Sequence, residues 1–215
     1  GGGDGGAGRD DGGVEVRSGG GTDAAFNAQV AETMRLSVAD GATWETTHME
    51  IMAFKHSEHR DFGDVMRAVV PPLLGFVDIS GSAQDMAKSL QATLTHWLPM
   101  LKRFTVSEAI ETVVLQAAAE YCSAQGQTDM FGFALRVLWE GDVLSTAAIQ
   151  DWAERVSEAE AGGGDGATQW GAWKALHESK WVQWLLGQLD ASSEESGTES
   201  GSESGSGSGS GSDDD

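Results

Sequence analysis

Ser82-Ala83-Gln84-Asp85-Met86-Ala87-Lys88-Ser89-Leu90-Gln91-Ala92-Thr93-Leu94-Thr95-His96-Trp97-Leu98-Pro99-Met100-Leu101-Lys102-Arg103-Phe104 is the stretch that decides the fold. Met86, Leu90, Leu94, Trp97, Leu98 and Leu101 recur at three- and four-residue steps, the spacing of one face of an α-helix and not of a strand.

The same period extends in both directions. Upstream, Asp23–Ala39 sets Phe26, Val30, Met34 and Leu36 on one side and stops at Gly41, and Thr46–His56 carries Met49, Ile51, Met52 and Phe54. Asp61-Phe62-Gly63-Asp64 reads as an N-cap with an acid three residues on, followed by Val65, Met66, Val69, Val70, Leu73 and Leu74. Pro71-Pro72 within that run predicts a kink or a split.

Downstream, Ser107 caps a helix with Ile110, Val113, Val114, Leu115, Ala118 and Tyr121. Further helices are predicted over Thr128–Trp139, Ser145–Ser157 and Trp170–Leu189, with a loop at Gly162–Gly166. Strand signals are almost absent. Helices joined by short loops predict an all-α, HEAT-like α-solenoid or irregular bundle of antiparallel helix pairs, with any repeat structural only. The domain is expected over 23–191. It lies between a Gly-rich linker at 1–22 and an acidic Ser/Gly tail at 192–215, both low in complexity and expected to be disordered.

The formal net charge is −21. That argues against nucleic acid, because phosphate binding needs a Lys/Arg surface, and it favours a cationic partner such as a Lys-rich segment. One Cys, Cys122, excludes an internal disulfide and a Cys-based zinc cluster; after Tyr121 it reads as a buried thiol. No signal peptide and no membrane-spanning run is read, so the chain is expected in the cytosol. There is no phosphate loop and no Gly-x-Ser-x-Gly elbow. His56 and His59, with Glu58 between them and His48 earlier, read as partly exposed histidines at a helix end and not as metal ligands. Neither a cofactor nor a metal is expected.

What stands out is aromatic and acidic. Trp139-Glu140-Gly141-Asp142-Val143-Leu144 leads to Ile149-Gln150-Asp151-Trp152, and Lys180-Trp181-Val182-Gln183-Trp184 runs into Glu194-Glu195. Two Trp-plus-acid boxes on neighbouring helices suggest a grip on a basic partner rather than a small-molecule pocket. Trp181 and Trp184 share a helix face; one is expected in the core, and Trp184 is taken as the interface anchor. Glu154, Glu158 and Glu160 extend the acidic surface. Asp61 reads as a helix cap; for Asp64 the structural and functional readings both stay open. Ser192, Ser196, Ser200 and Ser212 each precede an acid by three residues, a spacing that suits an acidophilic kinase.

Residues 24–195 resemble the C-terminal two-tryptophan, HEAT-like domain of translation initiation factor 2B, epsilon subunit. Initiation factor five and the factor four G scaffolds share that domain. The likeness is carried by Phe26-x-x-x-Val30-x-x-Thr33, Glu50-Ile51, Lys55, Asp61-Phe62-Gly63-Asp64-Val65 and Trp97-Leu98-Pro99, then Leu138 to Leu144, Ile149-x-x-Trp152, and Trp181-Val182-Gln183-Trp184-Leu185. The resemblance implies a guanine-nucleotide exchange segment without covalent chemistry. It would bind the GDP form of initiation factor two and promote GDP release. It also implies that Asp64, beside Asp61, acts at the G domain of that partner's gamma polypeptide. Trp139, Glu140, Asp142, Trp152, Trp181 and Trp184, with Glu194 and Glu195, would hold the lysine-rich tail of its beta polypeptide. Other subunits of factor 2B would be met through regions outside this chain.

Three positions depart from the family. Asp64 stands where Glu is usual, Met52 where Asn is common, and Ser145-Thr146-Ala147 where an acidic run is typical. Two other readings remain: a non-catalytic adaptor that docks lysine-rich tails, and an unrelated acidic helical scaffold.

Overall fold

A computed structural model describes residues 20–162, 171 and 173–195. Among these the chain is all-helical, with no strand. The helices are α1 (Gly20–Asp40), α2 (Trp44–Ser57), α3 (Phe62–Gly75), α4 (Ala83–Phe104), α5 (Glu108–Ala124), α6 (Thr128–Glu140), α7 (Thr146–Gly162), α8 (Lys174–His177) and α9 (Lys180–Glu195).

Their packing makes a two-layer solenoid of helix pairs. α1, α3, α5 and α7 touch in sequence along one layer; α2, α4, α6 and α9 do so along the other. α1 with α2, α3 with α4 and α5 with α6 bridge the layers. The core lies between the layers. It holds Phe26, Val30, Met34, Leu73, Leu90, Phe104, Phe131 and Trp173, all buried.

Local chemistry explains where helices begin. Thr43 caps α2, its hydroxyl accepting from the Thr46 N–H. Asp61 with Asp64, and Ser82 with Asp85, form full capping boxes on α3 and α4. The Ser82 hydroxyl and backbone N–H both bond Asp85 and hold its carboxyl below the usual range. Ser107 sits at the N-cap of α5 as expected, but its side chain makes no capping bond.

Several expectations are corrected. Pro71 and Pro72 do not split α3, which runs through both. They remove donors for carbonyls one turn earlier, but Val69, Val70, Leu73 and Leu74 are buried around them and keep the segment helical. Leu36 is 45% exposed and Met49 71% exposed; the inward stripes of α1 and α2 instead carry Thr33, Ser37 and Thr47. Thr47 Oγ1 donates to Ser37 Oγ at 2.8 Å, so these buried hydroxyls satisfy each other and tie α1 to α2.

The helix predicted over 170–189 is broken at Glu178–Ser179. Ser179 Oγ accepts from the Val182 N–H at 3.4 Å, and the Gln183 side chain donates to the His177 carbonyl at 2.8 Å. A new N-terminus and an old C-terminus are thereby both satisfied. α9 then extends to Glu195, past the predicted boundary at 191. The expected Gly162–Gly166 loop, apart from Gly162 itself, lies outside the described residues, as do the linker through residue 19 and the tail from 196.

Candidate functional site

Two surfaces carry the candidate residues. The first is the N-terminus of α3. Asp61 Oδ1 accepts from the Asp64 N–H at 2.8 Å, and Asp64 Oδ2 accepts from the Asp61 N–H at 3.3 Å. Asp64 Oδ1 also accepts from Arg67 Nη1 at 3.3 Å. Asp61 is therefore a cap, as read. Asp64 is not a free projection from the surface but the other half of that cap, and it is also an ion-pair partner.

A cleft of about 190 Å³ opens beside it, lined by Asp23, Phe26, Asn27, Arg60, Asp64 and Arg67. Arg60 forms the cleft's wall between α2 and α3. It pairs with Asp23 across from α1, and its guanidinium lies 5.2 Å from the Phe26 ring centroid. The cleft thus holds two cations and two carboxylates in alternation.

The second surface is built by α6 and α9. Gly132 makes it possible. A Cβ there would stand 2.6 Å from Trp181 Cβ and 3.2 Å from the backbone of Trp181 and Val182, so only glycine lets α9 approach this closely. Trp181 then packs on Phe133 with centroids 4.6 Å apart, and Trp184 meets Trp181 edge-on at 6.5 Å. Trp181 is half-buried, and Trp184 is 43% exposed, so of the two it is the more open to solvent.

The acidic partners are less open than the sequence suggests. Glu140 pairs with Arg136 at 2.7 Å, Asp142 with Lys102 at 3.1 Å, and Asp151 with Arg155 at 3.0 Å. Arg136 also lies 5.3 Å over the Trp184 ring, and Lys180 5.2 Å over Trp181. The chain's own cations therefore already occupy these aromatic faces. Arg136 was legible as the fourth residue before Glu140, but its seat on Trp184 depends on α9 and was not.

Trp152 requires correction as a contact residue. It is 2% exposed, packed at a tilt against Phe131 at 5.1 Å and edge-on to His177 at 6.2 Å, and belongs to the core beneath the surface. Trp139 is half-buried and donates its indole N–H to Thr146 Oγ1 at 3.1 Å, which joins the end of α6 to the start of α7. The turn between them needs Asp142 at φ +52. Sequence reading missed Glu111: from α5 its carboxylate accepts the Ser145 N–H at 2.7 Å, just ahead of α7. No local spacing announces that contact.

Glu154 and Glu158 are exposed on α7. The side chains of Glu160, Glu194 and Glu195 lie outside what the structure describes. The two surfaces are not brought together: Asp64 lies between α1 and α3, and Trp184 lies on the face of α6 and α9. Among the described residues no three His, Cys, Asp or Glu side chains could hold a metal, and no helix is long and apolar enough to cross a membrane. Cys122 is buried, and burial pushes its thiol up to about 12.

No protein-family model matches the chain. It is similar to translation initiation factor eIF2B subunit epsilon of Dictyostelium discoideum, 26% identical over 138 residues, which is 61% of this chain and 19% of that protein. The chain therefore spans about a fifth of that relative's length, and its all-helical domain is distantly similar to that translation initiation factor subunit.

Proposed function

We propose that this domain is a guanine-nucleotide exchange segment that binds initiation factor two in the cytosol and promotes release of GDP. The similarity to the epsilon subunit carries the proposal, because it coincides with an all-helical two-layer solenoid whose α3 N-terminus presents Asp64 in a cleft. No bond is made or broken by the domain. It acts by binding the nucleotide-free partner more tightly than the GDP-bound one.

In this mechanism Asp64 exchanges Arg67 for a Lys or Arg that otherwise holds nucleotide phosphates in the partner's G domain, on its gamma polypeptide. The exchange is cheap. Arg67 and Asp64 form a surface pair, and such pairs contribute about 0–1 kcal/mol. Asp61 keeps α3 capped while Asp64 changes partner. At the second surface the Lys-rich tail of the beta polypeptide displaces Arg136 and Lys180 from Trp184 and Trp181 and meets the freed Glu140. This trade of one cation for another raises local concentration more than intrinsic affinity.

Release of labelled GDP from initiation factor two tests this directly. Asp64→Asn keeps an oxygen for the Asp61 N–H but removes the charge. It is expected to abolish exchange with unchanged melting, and Asp64→Glu to retain it. Exchange undiminished in Asp64→Asn would refute the role of Asp64. Binding without acceleration by the unsubstituted chain would favour the second reading, a docking module. That reading draws on the finding that Asp64 is already engaged by its own helix cap and Arg67.

A further inference from the structure

The chain has 34 acids and 13 Lys and Arg, so a carboxylate partner is available to most of its cations. Most described cations have a carboxylate within ion-pair distance, namely Arg35, Arg60, Arg67, Lys102, Arg136, Arg155 and Lys174. Lys55, Lys88, Arg103 and Lys180 make no ion pair among the described residues; Lys180 lies over Trp181 on the second surface, while Lys55 and Arg103 sit on aromatic rings elsewhere. Lys55 Nζ is 4.5 Å from the Phe62 centroid, and the Arg103 guanidinium is 4.8 Å from that of Trp44.

The two belong to one face. Trp44, His48, Ile51 and Lys55 follow a single stripe of α2, at steps of four, three and four. His48 stacks on Phe104 at 4.9 Å, and Phe104 meets Phe62 at 6.3 Å. The line therefore runs Arg103, Trp44, His48, Phe104, Phe62, Lys55, from the end of α4 across α2 to the start of α3. Phe104 is buried beneath it; Trp44, His48, Phe62 and Lys55 are half-buried, and Arg103 is exposed. Burial and then the charge of Arg103 hold His48 below its usual pKa. Lys102 adds a third cation on the same last turn of α4, though it is paired with Asp142.

A ring beneath a cation leaves its outward N–H groups available to an anion, which a salt bridge would have consumed. The domain is acidic overall, so an acidic segment that touches it is favoured where cations without a carboxylate partner gather, and this face brings two of them together. Residues 199–215 are such a segment: Glu199, Glu203, Asp213, Asp214 and Asp215, with no Lys, no Arg and no apolar side chain. They follow α9, whose last described residue is Glu195. Extended, residues 196–215 reach up to about 70 Å, while a domain of this size is about 40 Å across. The geometry points to the Trp44, Lys55 and Arg103 face as an intramolecular docking site for the chain's own acidic segment, Glu199–Asp215. The face adjoins the first surface of the proposed exchange function, since Phe62 lies between Asp61 and Asp64 in sequence, but its test does not use exchange.

The buried Cys122 thiol is protected from labelling, so Ser210→Cys in the full chain takes a nitroxide selectively. At low salt the label is expected to broaden the amide signals of Trp44, His48, Lys55 and Arg103. The broadening is expected to vanish in 1 M salt, where the screening length falls to about 3 Å. It is also expected to vanish in the Lys55→Gln, Arg103→Gln double variant, with the core signals of Met34 and Val114 unmoved. Broadening centred on Arg136 and Lys180, or absent from this face, overturns the proposal. So does broadening that persists in the double variant, or that appears when labelled chains without isotope are mixed with isotopic chains without label.

Discussion

Gly132 offers the sharpest test of how the aromatic surface is built. In an exposed helix interior, Gly→Ala raises stability by about 1 kcal/mol, because alanine loses less backbone freedom on folding. At Gly132 the added Cβ would lie 2.6 Å from Trp181 Cβ and 3.2 Å from Trp181 C and Val182 N. These are stem and backbone atoms, so the contact is relieved only by separating α9 from α6. Overpacking of this kind costs about 1–3 kcal/mol, and at its upper end it outweighs the helix gain. Gly132→Ala is expected to lose up to about 2 kcal/mol net, with Tm lowered by about 2–4 °C per kcal/mol in a domain of this size. Gly187 in α9 is the control: nothing lies within 4 Å of its Cβ position. Gly187→Ala should gain about 0.5–1 kcal/mol. Thermal unfolding followed by far-ultraviolet circular dichroism reads both, and tryptophan emission reports displacement of Trp181 and Trp184. If Gly132→Ala proves as stable as Gly187→Ala, the close approach of α9 to α6 is wrong.

Further outcomes follow from burial and capping. Trp152→Ala should cost about 3–5 kcal/mol in urea unfolding, as expected of a core ring, whereas Trp184→Ala should change stability far less while weakening partner binding. A reversed order would undo the assignment of core and surface. Asp61→Ala should lose about 1 kcal/mol, and Asp61→Asn or Asp61→Ser should restore most of it, since each presents a capping oxygen. The lowered pKa of His48 means that the unfolded chain takes up its proton first as pH falls. His48 therefore withdraws stability as pH drops from about 7.5 through its unfolded value near 6.5 toward its folded value, and the loss is complete below that. Relief of the chain's negative charge opposes this, so the readout is the difference in urea midpoint between wild type and His48→Gln. That difference should move in the variant's favour as pH falls, and a constant difference would refute the effect.

The parts legible in sequence were those set by short-range chemistry. Three- and four-residue apolar spacing located the helices, and Asp61 announced the cap of α3. The exposure of Trp184 and the burial of Cys122 also followed from local pattern. Phase was harder. Leu36 and Met49 are apolar, yet a turn of α1 or α2 puts Ser37 and Thr47 inward, where their hydroxyls satisfy each other. Ser179 was read through as helix because its capping role depends on where α8 and α9 pack.

The candidate sites divide in the same way. Sequence alone determined an all-helical, acidic chain with aromatic boxes near its C-terminal end, because periodicity and charge are properties of neighbours along the chain. Only the tertiary structure decided that Trp152 lies in the core, that Arg136 sits on Trp184, that Glu111 meets Ser145, and that Lys55 and Arg103 share a face. Each of these depends on side chains from different helices meeting at a few ångströms. That distance is set by how α2, α4, α5, α6, α7 and α9 stack, and in the case of α9 by the missing Cβ at Gly132.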